Sequence, residues 1–170
     1  AYLGEVAPHV KGVGVEYEES ACLKAALESN ERVILPHVGL FADGTAVAQI
    51  GELPFEMIRL MKSDNSGPIV EPVIVTVDTD EICAAIKDTY DENRCIVEPS
   101  GAMALAGIKK YVAEHQLTDK NMVSIVCGAN MNFDRLRYIA ERTELGERKE
   151  AIYAVTIPEQ KGAFLQFCRA

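Results

Sequence analysis

The 170-residue sequence predicts an α/β fold, part of a mostly parallel open sheet flanked by helices. Three features carry that reading. Extended and helical signals alternate along the chain, as βαβ units with right-handed crossovers require. Asp78 and Glu81 have capping-box spacing ahead of Ile82, Ile86 and Tyr90, which recur at four-residue intervals. The apolar run 122–126 reads as a strand inside a sheet covered on both faces.

Taken in order, a first helix runs out at Ala7-Pro8-His9, and residues 10–16 form a short apolar strand containing Gly12 and Gly14. Residues 21–29 read as a helix with Ser20 at its N-cap. The stretch 35–44, with Pro36, Gly39, Asp43 and Gly44, reads as an irregular loop, followed by a helix over 53–61. A polar loop over 63–68 then leads to a Val- and Ile-rich strand over 72–77. Pro99 suits the first turn of a helix reaching about Glu114, whose Met103, Leu105, Ile108 and Val112 lie on several faces and imply burial. After the strand at 122–126, Asn132 or Asp134 caps a helix through Leu136, Ile139 and Ala140.

The texture changes at 141–150, where Glu, Arg and Lys dominate and a connector is expected. A strand over 151–157 and a Gly162-led helix follow, ending at Ala170. One strand and one helix cannot bury their own faces, so they read as the start of a truncated second domain. The opening 1–6 reads as mid-helix text with neither Met nor cap, as though the chain began inside a larger protein.

Composition is that of a packed globular protein: 48% hydrophobic, 25% charged. A formal charge of -9 opposes nucleic acid as a partner, because phosphate neutralisation needs clustered Lys and Arg and only pairs such as Lys109 and Lys110 occur. No apolar run approaches the ~20 residues of a membrane span, so no membrane partner is expected. Cys22, Cys83, Cys95, Cys127 and Cys168 are an odd number without Cys-x-x-Cys or metal-ligand spacing, which suits free thiols in a reducing compartment.

Walker, Gly-x-Ser-x-Gly and His-Glu-x-x-His signatures are missing, and Gly12-Val13-Gly14 lacks the third glycine of a dinucleotide fingerprint. A nucleotide-binding module would need a glycine-rich phosphate loop that the sequence does not show. His9, His37 and His115 stand apart from any Cys or carboxylate cluster and read as surface or loop histidines. Two segments stand out. Residues 125–130, Ile-Val-Cys-Gly-Ala-Asn, put Cys127 at the carboxyl end of an apolar strand before a Gly turn, where open α/β sheets place ligands. The alternative for Cys127 is a buried small hydrophobe. Residues 97–102, Val-Glu-Pro-Ser-Gly-Ala, put Glu98 ahead of a proline-started helix, where it could also serve simply as a partner for the helix dipole.

These segments, with Val15-Glu16, Ser20-Ala21-Cys22-Leu23-Lys24-Ala25-Ala26, Gly39-Leu40-Phe41-Ala42-Asp43-Gly44 and Glu144-Leu145-Gly146-Glu147, resemble the fold-type II pyridoxal-phosphate enzymes of the threonine dehydratase group. The resemblance covers nearly the whole chain, with its segments in the family's order. Ala154-Val155-Thr156-Ile157-Pro158-Glu159 and Lys161-Gly162-Ala163-Phe164 are similar to the opening of the ACT-like regulatory domain of the isoleucine-biosynthetic form. The implied division is residues 1–140 as the C-terminal part of the catalytic domain, 141–150 as connector and 151–170 as the start of the ACT-like domain.

The resemblance implies pyridoxal 5'-phosphate as cofactor and elimination of L-threonine to 2-oxobutanoate and ammonia, the first step of isoleucine biosynthesis. Threonine is then the substrate, isoleucine a feedback effector and a tetramer the usual assembly. The location is cytoplasmic, or plastid or mitochondrial in a eukaryote. The family's Schiff-base lysine and phosphate loop fall upstream of Ala1, so no catalytic residue is assigned and these 170 residues alone are expected to be inactive. Cys127 takes the place of the serine that faces the pyridine nitrogen; Gly44 and Glu98 lie beside the ring. A thiol cannot protonate that nitrogen as a carboxylate would, which weakens the electron sink and favours elimination over transfer or racemisation. Glu16 matches a cation-binding carboxylate of relatives, but Cys22 stands where some have Asp or Ser, and no metal site is assigned. The alternatives are a serine dehydratase or serine racemase-like enzyme, or a non-catalytic amino-acid sensor, which leaves the Cys127 and Glu98 segments without a purpose.

Overall fold

A computed structural model of the chain describes residues 2–7, 9–63, 73–147, 149 and 153–169. At its centre β1 (Val13–Tyr17) and β2 (Val73–Val77) pair in parallel, in register from Val13 with Val73 to Tyr17 with Val77. Val75 and Val77 are buried, as β-branched side chains on a covered sheet should be. The ring of Tyr17 is also buried, and its hydroxyl is paired with Thr79 Oγ1 at 2.8 Å, the polar partner that a buried tyrosine needs. The strand expected over 10–16 is therefore shifted three residues towards the C-terminus at its start. The polar loop expected over 63–68 lies, from 64 on, outside the described residues.

The first helix, α1 (Tyr2–Val6), and α2 (Cys22–Ser29) flank β1 in sequence. Ser20 does not cap α2: it sits in a 3-10 turn, Glu18–Ser20, and the N-cap position is Ala21, which has no side-chain acceptor. The cap comes from the strand instead. Glu16 Oε1 and Oε2 accept the N–H groups of Leu23 (2.9 Å) and Lys24 (2.8 Å), meeting two of the donors that a helix start leaves orphaned. A cap contributed from seven and eight residues upstream has no local spacing signature.

Beyond the irregular loop, α3 (Glu52–Ser63) begins with Pro54 in its first turn. The capping box of α4 (Thr79–Asn93) is formed in both directions: Glu81 N–H donates to Asp78 Oδ1 (2.8 Å) and Asp78 N–H to Glu81 Oε2 (2.9 Å). Ile82 and Ile86 are buried as their spacing predicts, whereas Tyr90 is exposed. Pro99 does open α5 (Pro99–His115). Its buried face is made of small residues, Gly101, Ala102, Ala106 and Gly107, with Met103, while Leu105, Ile108 and Val112 are half-buried. That small-residue face lets α5 lie close on the sheet, with Gly107 against the Val15 side chain.

The largest departure is at 122–126, which forms no strand. A strand exists through its ladder, and among the described residues β1 and β2 pair only with each other. Val123 and Ile125 are 90% and 76% exposed. At the next element, α6 (Arg135–Gly146) runs six residues into the charged stretch. Its charges face outward in pairs such as Arg137–Glu141, while Ile139 and Thr143, four apart, are buried against α4. Thr143 Oγ1 lies 3.1 Å from the Cys83 carbonyl, and Arg142 pairs with Asp80 at 2.6 Å. Residues 153–157 form no strand, and α7 (Ala163–Arg169) closes the described chain with no buried residue. Among the described residues no helix is long and apolar enough to cross a membrane.

The core gathers Tyr17, Val75, Val77, Ile82, Ile86 and Ile139 with the small-residue face of α5. Asp78→Ala is expected to lower stability by about 1 kcal/mol through loss of the cap. Truncating the fully buried Ile82 to Ala is expected to cost about 2–5 kcal/mol. Urea unfolding of each variant measures both; equal effects would contradict this division between cap and core.

Candidate functional site

Three segments meet where α5 begins: the loop ending at Gly44, the first turn of α5 with Glu98 and Ser100, and the turn 127–130. Glu98 joins the last two. Its N–H donates to the Gly128 carbonyl (3.1 Å), and its Oε2 accepts the Asn130 N–H (3.0 Å). Although Glu98 occupies the N-cap position of α5, its side chain makes no cap bond. The carboxylate is turned away from the helix start to hold the neighbouring turn, so the helix-dipole reading of Glu98 does not describe its contacts.

Two glycines make this approach possible. Gly128 has φ +78°, and a methyl group built on it would strike the Glu98 carboxylate. A methyl on Gly101 would run into the Cys127 carbonyl, so the backbone at Cys127 passes directly over the first turn of α5. Gly44 completes the convergence: a methyl there would stand 2.8 Å from Ser100 Oγ and 3.4 Å from Glu98 Oε1. Gly44, Glu98 and the backbone that carries Cys127 are thus neighbours in space although 83 positions separate the first from the last. Cys127 is exposed, which corrects the alternative that it is a buried small hydrophobe. Ser100 Oγ is buried with no hydrogen-bond partner in the protein, an orphan that buried hydroxyls rarely are.

Gly44 also lines a pocket of about 320 Å³, together with Glu16, Tyr17, Ser20, Cys22 and Met103 among others. Ser20 Oγ is buried there without a partner. Burial raises the Glu16 carboxyl above the usual range, with the two N–H donors of α2 and the Lys24 charge opposing the rise. Both Glu16 oxygens are committed to the α2 cap, and the described residues contain no group of three His, Cys, Asp or Glu side chains able to hold a metal.

The loop 39–44 is anchored through Phe41 and Gly39. Gly39 N–H donates to the Glu19 carbonyl (3.0 Å), and the Phe41 ring packs against Tyr17 (6.5 Å between centroids) and Tyr138 (5.8 Å). His9, His37 and His115 are all exposed and outside the convergence. Sequence reasoning singled out Gly44, Glu98 and Cys127, whereas Ser100 entered only within the 97–102 motif, since a lone hydroxyl carries no spacing signal. Gly101 and Gly128 were legible only as parts of their motifs.

Residues 1–128 match the family described as pyridoxal-phosphate dependent enzyme. The biosynthetic L-threonine dehydratase of Salmonella typhimurium is 50% identical over 165 residues, covering 97% of this chain and 30% of that protein. The mitochondrial threonine dehydratase of Schizosaccharomyces pombe is 51% identical over 165 residues, 96% of this chain and 26% of its own length. The chain therefore spans about 30% of the length of the curated relatives it matches. Among solved structures, the processed form of threonine deaminase isoform 2 from Solanum lycopersicum superposes with a TM-score of 0.75 at 38% identity, covering 83% of this chain and 38% of that one.

The thiols separate sharply by environment. Burial, then the Asp80 charge, pushes the Cys83 thiol up to about 12, and burial with the Glu16 charge raises Cys22. At pH 8 a thiol of pKa about 12 is ionised in about one molecule in ten thousand, against about a quarter for an ordinary thiol. Iodoacetamide is therefore expected to alkylate the exposed Cys95, Cys127 and Cys168 and to spare Cys22 and Cys83 until the protein unfolds, as peptide mass mapping would show. Early modification of Cys83 would contradict the packing of α4 against α6.

Proposed function

The chain belongs to the family of pyridoxal-phosphate dependent enzymes, and from that premise we propose that it works as a threonine ammonia-lyase, converting L-threonine to 2-oxobutanoate and ammonia at the first step of isoleucine biosynthesis. The observation that carries this reading is the meeting of Gly44, Glu98, Ser100 and the Cys127 turn at the start of α5, in a chain about half identical to threonine dehydratases.

The residues present fit the cofactor. Ser100 Oγ is buried beside Gly44 with a hydrogen bond to give, and Cys127, whose backbone passes over the first turn of α5, is exposed. In this reading Cys127 Sγ partners the pyridine nitrogen, and Gly44 and Glu98 lie along the ring. Bound pyridoxal phosphate supplies the electron sink for the bonds broken at the substrate's α-carbon. Cys127 tempers that sink, since a thiol is a weak hydrogen-bond donor and leaves no full positive charge on the nitrogen, unlike the pairing a carboxylate makes. Loss of the β-hydroxyl is then favoured over amino transfer. Glu98 holds the turn that carries Cys127, and both of its backbone-facing contacts act at the distance of ordinary hydrogen bonds.

The same reading takes residues 1–140 as catalytic domain, 141–150 as connector and 151–170 as the start of an ACT-like regulatory domain. It takes isoleucine as feedback effector and a tetramer as the assembly. Its location is the cytoplasm, or a mitochondrion or plastid in a eukaryote, in line with the names of the relatives from S. pombe and Arabidopsis thaliana.

Two measurements on the intact protein test the proposal. With pyridoxal phosphate and L-threonine it is expected to release 2-oxobutanoate and ammonia in equal amounts. Prebound cofactor is expected to slow alkylation of Cys127 about tenfold or more while leaving the exposed Cys95 unchanged, since a thiol covered by a ligand loses reagent access. Absence of product with Cys127 equally reactive in both states would overturn the assignment.

A further inference from the structure

We propose that Arg135 is a positioning residue that clamps the Gly44 loop against the rest of the site. Arg135 is the first residue of α6, five positions beyond Asn130, whose N–H is bonded to Glu98. From there its guanidinium makes three contacts with a single loop. Nη2 donates to the Phe41 carbonyl (3.2 Å), the guanidinium carbon stands 5.4 Å from the Phe41 ring centre, and Nη1 lies 3.9 Å from Asp43 Oδ2. The contact with Asp43 is long and largely exposed, so little depends on it. The planar fork lets one guanidinium donate to the carbonyl while lying over the Phe41 ring, a combination for which the point charge of lysine is less well shaped.

The placement argues against a helix-building role. A cation at the first residue of a helix meets the positive end of the helix dipole and does nothing for α6 itself. Its side chain is 29% exposed, folded back onto the loop rather than extended into water. Phe41 is thereby held from two elements: by Tyr17 of β1, and by Tyr138 and Arg135 of α6. Gly44 is three residues further on. Glu98 fastens the Cys127 turn to α5, and Arg135 fastens the Phe41–Gly44 loop to the helix that follows that turn. Together they tie all three walls into one unit, with the Arg135 side chain bonded to the loop through Phe41 and Asp43.

The test compares Arg135→Met and Arg135→Lys with the unaltered intact protein by amide hydrogen exchange and by cofactor titration. Arg135→Met is expected to speed exchange over residues 40–45 about tenfold, the effect of losing one charged hydrogen bond, while α4 keeps its protection. The dissociation constant for pyridoxal phosphate should rise about fivefold or more, because a loop that must be ordered on binding lowers affinity. Arg135→Lys, which keeps the charge near Asp43 but not the planar fork, should recover less than half of either change. Unchanged exchange over 40–45 in Arg135→Met would overturn the clamp, as would a rise spread equally over α4 and α5. The cofactor arm rests on the function proposed above; should the unaltered protein take up no pyridoxal phosphate, that function falls and the exchange arm still decides the clamp.

Discussion

Glu98 is bonded at both ends to the same short turn: its N–H reaches the Gly128 carbonyl and its carboxylate takes the Asn130 N–H. A charged acceptor on a backbone N–H makes a stronger bond than a neutral one, and here it spans the start of a long helix and a segment with no secondary structure of its own. Residues 118–132 lie in neither a helix nor a strand, so the Cys127 backbone has no ladder of its own and is held by what α5 offers it. Without that pairing, Gly101 and Gly128 would have no close approach to accommodate, and Cys127 no defined place beside Gly44.

A common physical pattern runs through the molecule: a carboxylate holds backbone N–H groups of another element. Asp78 and Glu81 do it locally at α4, Glu16 does it across from β1 to α2, and Glu98 does it from α5 to the 127–130 turn. The first stabilises one helix. The other two fix relative positions of elements, and both lie on the borders of the region around Gly44. The pocket that Gly44 also lines, with its buried and unpartnered Ser20 hydroxyl, has Glu16 in its wall.

Local signals in the sequence were enough for α4 and α5, because a capping box and an N1 proline act within one turn. The convergence of Gly44, Glu98 and Cys127 was legible through motifs and not through periodicity. What escaped was non-local. The α2 cap comes from Glu16 in the preceding strand, so the neighbouring Ser20, which has the residue type of a cap, does not act as one. The charged text at 141–146 hid a helix, because Ile139 and Thr143 bury one face while the charges occupy the rest. At 122–126 an apolar composition predicts a strand, but composition does not supply a partner, and among the described residues none pairs with it. Arg135 has no motif at all; its role depends on Phe41, 94 positions away.

The central claim is that Glu98 and the Cys127 turn form one wall of a pyridoxal-phosphate site whose opposite side is Gly44. A crystal structure of the intact protein grown with the cofactor tests it most directly. The account expects cofactor density beside Cys127 Sγ and Ser100 Oγ, with the Glu98–Asn130 bond intact. Density for the cofactor elsewhere, with Cys127 still facing solvent, would contradict it.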